Sequence, residues 1–362
     1  MRVTFLLLSV ERSGGVRVTS EIVNQLSDIG HECIIVVPVQ NEFPFKLRKS
    51  VKIIRVNKNR GKEKFGIIRS VIDLAFAIPT NTDMIVSSYY LTAYSAILAK
   101  LYIPQSQLFY IVQGFEPNYF KHENGRTQWF SYLLARLSYR LPLKRSVISN
   151  WLANLICANG YKRVPVINNG IDSELFRPIT NNSDLLGKVI MTIANKRPNR
   201  GFFDFCKAVN LLWETRKDFS VLIIGTDSSV IQGLNVPFQF ITPLNDYELI
   251  DAYQKSTIYV SCSHEEGFGL TPLEAMSCGT PVVCTDSGGV RDYAVDGVNC
   301  LMVLPKKIDH ISSALNKLLL DKNLRRVFKR NGRETALKFD WKVIGKQYDI
   351  FFQENKLSNP NQ

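Results

Sequence analysis

Two carboxylates, Glu266 and Glu274, stand with seven residues between them in the stretch SHEEGFGLTPLEAMSCGTPVV, residues 263–283. Pro272 suits the first turn of a helix. The backbone N–H groups of Leu270 and Thr271 would then face outward as an anion site, which the helix dipole favours. Gly267 and Gly269, on either side of Phe268, let the main chain approach a ligand closely. An acidic residue beside a phosphate site is unfavourable unless it binds hydroxyls. Glu274, on the second turn of the same helix, therefore points to a sugar or a ribose attached to the phosphate.

Stepping outward, apolar runs mark the elements that must hold these residues. A strand over 3–9 leads into Ser13-Gly14-Gly15. A helix follows with Val18, Ile22, Val23 and Leu26 at helical spacing, and then a strand over 33–37. The early run is too short for a signal peptide, and Glu11-Arg12 follow it where a small-residue cleavage site would stand. Further strands are expected over 51–56, 83–87 and 108–112. A second alternating block has strands over 189–194, 220–224, 238–241, 258–261 and 281–285. Its helices are expected over 202–215, 246–255, 272–277, 290–295 and 308–320. Such alternation predicts parallel sheets with helices on both faces. The chain thus reads as two α/β domains, 1–169 and 170–340, facing a cleft. The sequence leaves open whether the last helix, over 341–356, packs back on the first domain. Ligands of such sheets bind at the carboxyl ends of strands, where the glycine and carboxylate segments fall.

The 362 residues carry a net charge of +13 and are 45% hydrophobic, which excludes disorder as the main state. Residues 1–180 hold 23 Lys and Arg against 12 Asp and Glu, whereas the remainder hold 22 and 20. The imbalance points to an anionic partner of the first half. The segment 129–145, WFSYLLARLSYRLPLKR, interleaves rings with Arg136, Arg140, Lys144 and Arg145. It fits an amphipathic helix packed on the sheet, or a segment lying on an anionic bilayer. A basic run over 46–64 includes Arg48, Lys49, Lys52, Arg55, Lys58, Arg60 and Lys62. No nucleic-acid module appears, and no apolar stretch is long enough to span a bilayer. The seven cysteines form no C-x-x-C pair, and the four histidines have no partner at ligand spacing. A zinc site and a disulfide framework are therefore not expected. His264 is either a ligand contact or an ordinary loop histidine. Ser13-Gly14-Gly15-Val16 lacks the G-x-G-x-x-G spacing of a dehydrogenase.

The Glu266-x7-Glu274 stretch resembles the signature of family 4 retaining glycosyltransferases, which have the GT-B fold of two Rossmann-like domains. Ser13-Gly14-Gly15, the segment from Val166 to Pro178, and Ser287-Gly288-Gly289 with Asp292, Asp296 and Gly297 resemble further motifs of that family in the same order. By this resemblance Glu266 would be catalytic, touching the donor sugar, and Glu274 would hold the ribose. Gly267, Phe268, Gly269, Leu270 and Thr271 would present backbone donors to sugar and phosphate. Leu244 would meet the base through its backbone, and Gly15 would form part of the donor side. Arg200 matches the position of a family lysine that neutralises the diphosphate, with Arg197 as its companion at a shorter spacing. Cleaving the bond from anomeric carbon to phosphate leaves a dianion that fixed cations stabilise. In place of the common His-Asp, Gln113-Gly-Phe-Glu116 resembles a rhamnosyltransferase variant, with Gly114 where that variant has Asp. Gln113 and Glu116 are the acceptor-side candidates.

The resemblance implies transfer from a nucleotide-diphosphate sugar, dTDP- or UDP-linked, to a lipid-linked glycan in bacterial surface polysaccharide synthesis. It implies no cofactor and no metal. A cytoplasmic location with peripheral contact on the inner face of the membrane is expected. The competing readings are a nucleotide-sugar epimerase and a non-catalytic glycan- or nucleotide-sugar-binding protein.

Overall fold

Strands buried on both faces read as near-continuous runs of branched and aromatic residues, and this chain folds such runs into two parallel sheets. The computed structural model describes residues 1–38, 43–56, 66–120, 126–179, 187–243 and 245–357. The chain divides into two compact units, Met1–Asn169 with Trp341–Gln362, and Gly170–Asp340.

The first unit contains β1 (Arg2–Leu6), β2 (Glu32–Pro38), β3 (Lys52–Val56), β4 (Met84–Ser87), β5 (Gln107–Val112) and β6 (Lys144–Val147). They form one six-stranded sheet in the order β3-β2-β1-β4-β5-β6, every pair parallel. The second contains β7 (Val189–Ile193), β8 (Ser220–Ile224), β9 (Phe238–Ile241), β10 (Ile258–Ser261), β11 (Val282–Thr285) and β12 (Leu301–Val303). Their order is β12-β11-β10-β7-β8-β9, again parallel throughout. Both sheets grow from their first strand in one direction and then resume on its other side. The switch falls between β1 and β4 in one unit and between β7 and β10 in the other. A crevice opens at the carboxyl ends of such a strand pair.

The closing helix Trp341–Leu357 packs on the helix Gly14–Asp28 of the first unit. The contact is close: a Cβ on Gly345 would stand 2.4 Å from Gln25 Cβ. Phe351 and Phe352 lay their rings against Phe109 of β5, with centroids 5.5 and 4.8 Å away. His31 Nε2 meets Asp349 Oδ1 at 2.7 Å.

Several expectations need correction. The segment 129–145 is not one amphipathic stretch. A helix, Arg126–Ser138, ends before Leu141-Pro142, and Lys144 and Arg145 belong to β6. Proline removes a donor and disfavours helix in the residue before it. Both cations are used internally, Lys144 Nζ donating to Asn355 O and Arg145 Nη1 to Tyr139 O. The expected helix over 290–295 is a single tight turn, Gly289–Asp292. The elements not foreseen include β6, β12 and the helices Asn150–Ala158 and Lys322–Lys338. Part of the basic run, residues 57–64, lies outside the described residues. Among the described residues no helix is long and apolar enough to cross a membrane.

Candidate active site

The second unit builds its site from two loops that leave adjacent strands. After β7 the chain makes a turn in which Arg197 N donates to Asn195 Oδ1 at 2.9 Å. Pro198–Arg200 is one tight helical turn, and Gly201 ends it at φ +67, a left-handed conformation suited to glycine. A Cβ on Gly201 would lie 1.8 Å from the Cys262 carbonyl oxygen. The turn is therefore pressed directly onto the chain leaving β10. Two more ties hold it there. His264 N donates to Asn199 O at 2.8 Å, and His264 Nε2 meets Asp204 Oδ2 at 2.7 Å. Asp204 is in the first turn of the helix Phe202–Thr215.

This packing brings Arg200 to Glu266. Arg200 Nη1 donates to Glu266 Oε1, and Ser263 Oγ donates to the same oxygen at 2.9 Å. The Glu266 main chain is fixed as well: its N–H donates to Ser287 O at 2.8 Å, and its carbonyl accepts from Gly289 N at 3.0 Å. A Cβ on Gly289 would stand 2.2 Å from the Gly267 carbonyl oxygen. The segments around Glu266 and Ser287-Gly288-Gly289 thus meet, as their shared motif character suggested.

The helix Leu270–Ser277 begins immediately after Gly269. Phe268 is buried, its ring 5.3 Å from Tyr293 and 5.9 Å from Phe339. Its side chain is core, and only its main chain is available to a ligand. Thr271 Oγ1 accepts from the Tyr259 hydroxyl at 2.8 Å. Glu274 is neither solvated nor open: it is buried and accepts from the Tyr253 hydroxyl at 3.0 Å. Burial above all, and then the Glu274 charge, pushes the Tyr253 hydroxyl well above its ordinary pKa. The helix is backed by Lys322–Lys338, where a Cβ on Gly332 would approach Met276 Cγ to 3.2 Å.

Arg197 is exposed, and Glu266 takes its contact from Arg200 instead. Leu244 lies outside the described residues. Among the described residues no group of three or more His, Cys, Asp or Glu is arranged to hold a metal ion. Sequence reasoning did not single out Asp204, Tyr253 or Tyr259. An acid in a first helical turn signals a helix start, and nothing in its spacing names a histidine 60 residues away.

In the first unit Gly15 lies in the first turn of the helix Gly14–Asp28, which Ser13 caps. Gln113, at the end of β5, reaches it: Gln113 Nε2 donates to Gly15 O at 3.4 Å. A Cβ on Gly15 would stand 3.0 Å from Gln113 Oε1. Glu116 behaves differently from its acceptor-side expectation. It is buried and accepts from the Tyr110 hydroxyl at 2.6 Å and from the Tyr139 hydroxyl. The Tyr139 hydroxyl also lies 3.0 Å from the Gly114 carbonyl, so the carboxylate pins the loop from inside.

Burial pushes the Glu116 carboxyl from 4.5 up to about 7, against the pull of the two tyrosine hydrogen bonds. Between those values the folded chain holds a proton that the unfolded chain has released. The contribution of Glu116 is therefore greatest in acid and is lost as pH rises through the folded pKa. Glu116→Gln should flatten the fall in stability between about pH 5 and about pH 8, read from urea unfolding. An unchanged pH slope in that variant would contradict the assignment.

Comparison with known proteins matches residues 12–175 to Glycosyltransferase Family 4 and residues 178–335 to Glycosyl transferases group 1. A D-inositol 3-phosphate glycosyltransferase of Saccharomonospora viridis is 34% identical over 116 residues. That stretch is 32% of this chain and only 27% of the relative's own length. An N,N'-diacetylbacillosaminyl-diphospho-undecaprenol alpha-1,3-N-acetylgalactosaminyltransferase of Campylobacter jejuni is 24% identical over 351 residues, 90% of this chain and 92% of the relative. The crystal structure of Anabaena HepE in complex with UDP and glucose superposes with a TM-score of 0.81 at 16% identity, covering 98% of this chain and 100% of that one. At that identity the likeness speaks for the fold. The two family matches follow one another along two doubly wound parallel sheets, and the chain belongs to the family 4 type of glycosyltransferases with the GT-B fold.

Proposed function

We propose that this glycosyltransferase retains anomeric configuration and moves a sugar from a UDP- or dTDP-sugar to a lipid-linked glycan in bacterial surface polysaccharide synthesis. The observation that carries the reading is the meeting of Arg200, Glu266 and the glycine-framed start of the helix Leu270–Ser277 at the switch point of the second sheet. In the reaction the bond from anomeric carbon to phosphate oxygen breaks, and its electron pair leaves with the diphosphate. Arg200 and the main-chain N–H groups at Leu270 and Thr271 stabilise that charge as it develops. Glu266 binds sugar hydroxyls and faces the positive charge growing on the ring. Because protein groups meet the leaving charge, no metal is required. The leaving phosphate accepts the proton of the acceptor hydroxyl, so no separate base is assigned. Glu274 holds the ribose once the ligand displaces the Tyr253 hydroxyl from it.

The first unit takes the acceptor, with Gln113 beside Gly15. The Campylobacter relative, named for an undecaprenol-diphosphate acceptor, supports a lipid-linked one. Trp129 and Phe130 on the helix Arg126–Ser138 are 65% and 52% exposed, and exposed rings on a helix suit a membrane surface. Rhamnose as the donor sugar rests on the resemblance of the 113–116 segment alone.

A melting screen with UDP, dTDP and GDP tests the donor reading. A ligand at a hundred times its Kd stabilises the native state by about 2.7 kcal/mol, a rise of about 5–10 °C for a domain of this size. Arg200→Ala should weaken binding of the active nucleotide by about 10–100-fold. The acceptor arm offers a polyprenyl-diphosphate glycan in anionic vesicles, on which Trp129→Ala should turn over more slowly. No melting rise with any of the three nucleotides would overturn the donor reading, and equal turnover in the vesicle arm would overturn the membrane contact.

A further inference from the structure

Within the donor site a cation and a carboxylate pair with each other. Arg200 donates to Glu266 Oε1, the oxygen that Ser263 Oγ also reaches at 2.9 Å. The two side chains are only 36% and 16% exposed, so solvent screens the pair incompletely. The pair does not use the full guanidinium: Arg200 Nε is buried with no hydrogen-bond partner. The Glu266 main chain is bonded on both sides, to Ser287 O at 2.8 Å and to Gly289 N at 3.0 Å, which keeps the carboxylate within reach of this site. A diphosphate that takes Arg200 must therefore settle beside a carboxylate it has just deprived of its cation. Like charges so placed repel.

Resting on the donor-site reading above, we propose that Glu266 is a specificity-determining residue that disfavours the bare nucleoside diphosphate by competing with it for Arg200. An intact donor escapes most of this penalty. Its sugar brings hydroxyl donors to the displaced carboxylate, and its terminal phosphate, being esterified, carries less charge. The spent nucleotide has neither advantage. As the sugar departs, Glu266 loses its hydroxyl partners and returns to Arg200, which loosens the product. One residue thus favours substrate in the ground state and speeds product exit. This is a charge competition distinct from its contact with the reacting ring.

Calorimetric titration of the full chain with UDP, dTDP and GDP, on wild type, Glu266→Gln, Arg200→Ala and the double variant, tests the proposal. Glu266→Gln keeps the side-chain shape and removes the charge; it should bind the active nucleotide about three- to tenfold more tightly than wild type. In the Arg200→Ala background the same change should have no effect, because the competition runs through Arg200. If Glu266→Gln does not fold, Glu266→Ala removes the same charge and carries the same expectation. Equal or weaker binding by the uncharged variant overturns the proposal, and so does tightening that persists without Arg200. If wild type binds none of the three nucleotides, it is the donor-site reading that fails, and the inference with it.

Discussion

Glu266→Ala should lower transfer by about 10²–10³-fold, the usual cost of removing one charge-stabilising group from a reacting centre. The fold should survive the change. The contacts of the carboxylate are Arg200 and Ser263. The bonds that anchor the segment belong to the main chain, from Glu266 N to Ser287 O and from Gly289 N to Glu266 O, and alanine keeps both. Turnover measured with a labelled donor should collapse, and the melting temperature of the ligand-free protein should stay within a few degrees. Wild-type turnover in this variant would remove Glu266 from the reaction. A large melting loss would mean that the carboxylate serves the fold instead.

Gly201→Ala should have the larger effect on stability. The residue sits at φ +67, and its absent Cβ would fall 1.8 Å from the Cys262 carbonyl oxygen and 2.5 Å from that carbonyl carbon. Neither neighbour is a side-chain end that can swing aside; both are main chain at the end of β10. The methyl group must push the two loops apart or twist the turn out of its left-handed conformation. Either route costs about 2–4 kcal/mol, a melting loss of about 5–15 °C. The same displacement moves Arg200 from Glu266, so the nucleotide affinity should fall as it does in Arg200→Ala. A Gly201→Ala protein that melts and binds nucleotide like wild type would show that the two loops are not in contact.

The sequence was most legible where burial on both faces wrote continuous apolar runs. The strands Ser220–Ile224 and Ile258–Ser261 stand where those runs predict them, and the helices Phe202–Thr215, Asp246–Lys255 and Ile308–Leu320 stand where helical spacing does. Elements without such runs escaped. The strand Lys144–Val147 opens with two cations, and the partner of the first, Asn355 O, is distant in sequence. The helix Lys322–Lys338 is mostly polar, and its buried seam passes through Phe328, Gly332 and Ala336, two of which barely register as hydrophobic. At the candidate site the loops were legible and their pairings were not. A basic turn and an acidic motif each signal a ligand, but nothing in their composition says that Arg200 and Glu266, 66 residues apart, rest on each other. Glu116 shows the same limit from the other side. A carboxylate in a strand-end loop reads as a ligand contact, and only the fold reveals the two tyrosine hydroxyls that enclose it.

The first unit is assembled from both ends of the chain, while the second, Gly170–Asp340, is continuous. On a ribosome the second unit is complete as soon as its own residues have emerged, but the first must wait. Until the final helix arrives, Phe109 lacks the rings of Phe351 and Phe352, His31 lacks Asp349, and Gln25 has no Gly345 against it. The first unit is therefore begun before the second and completed after it. Through that interval it exposes apolar surface of the kind that chaperones bind and that aggregates seed.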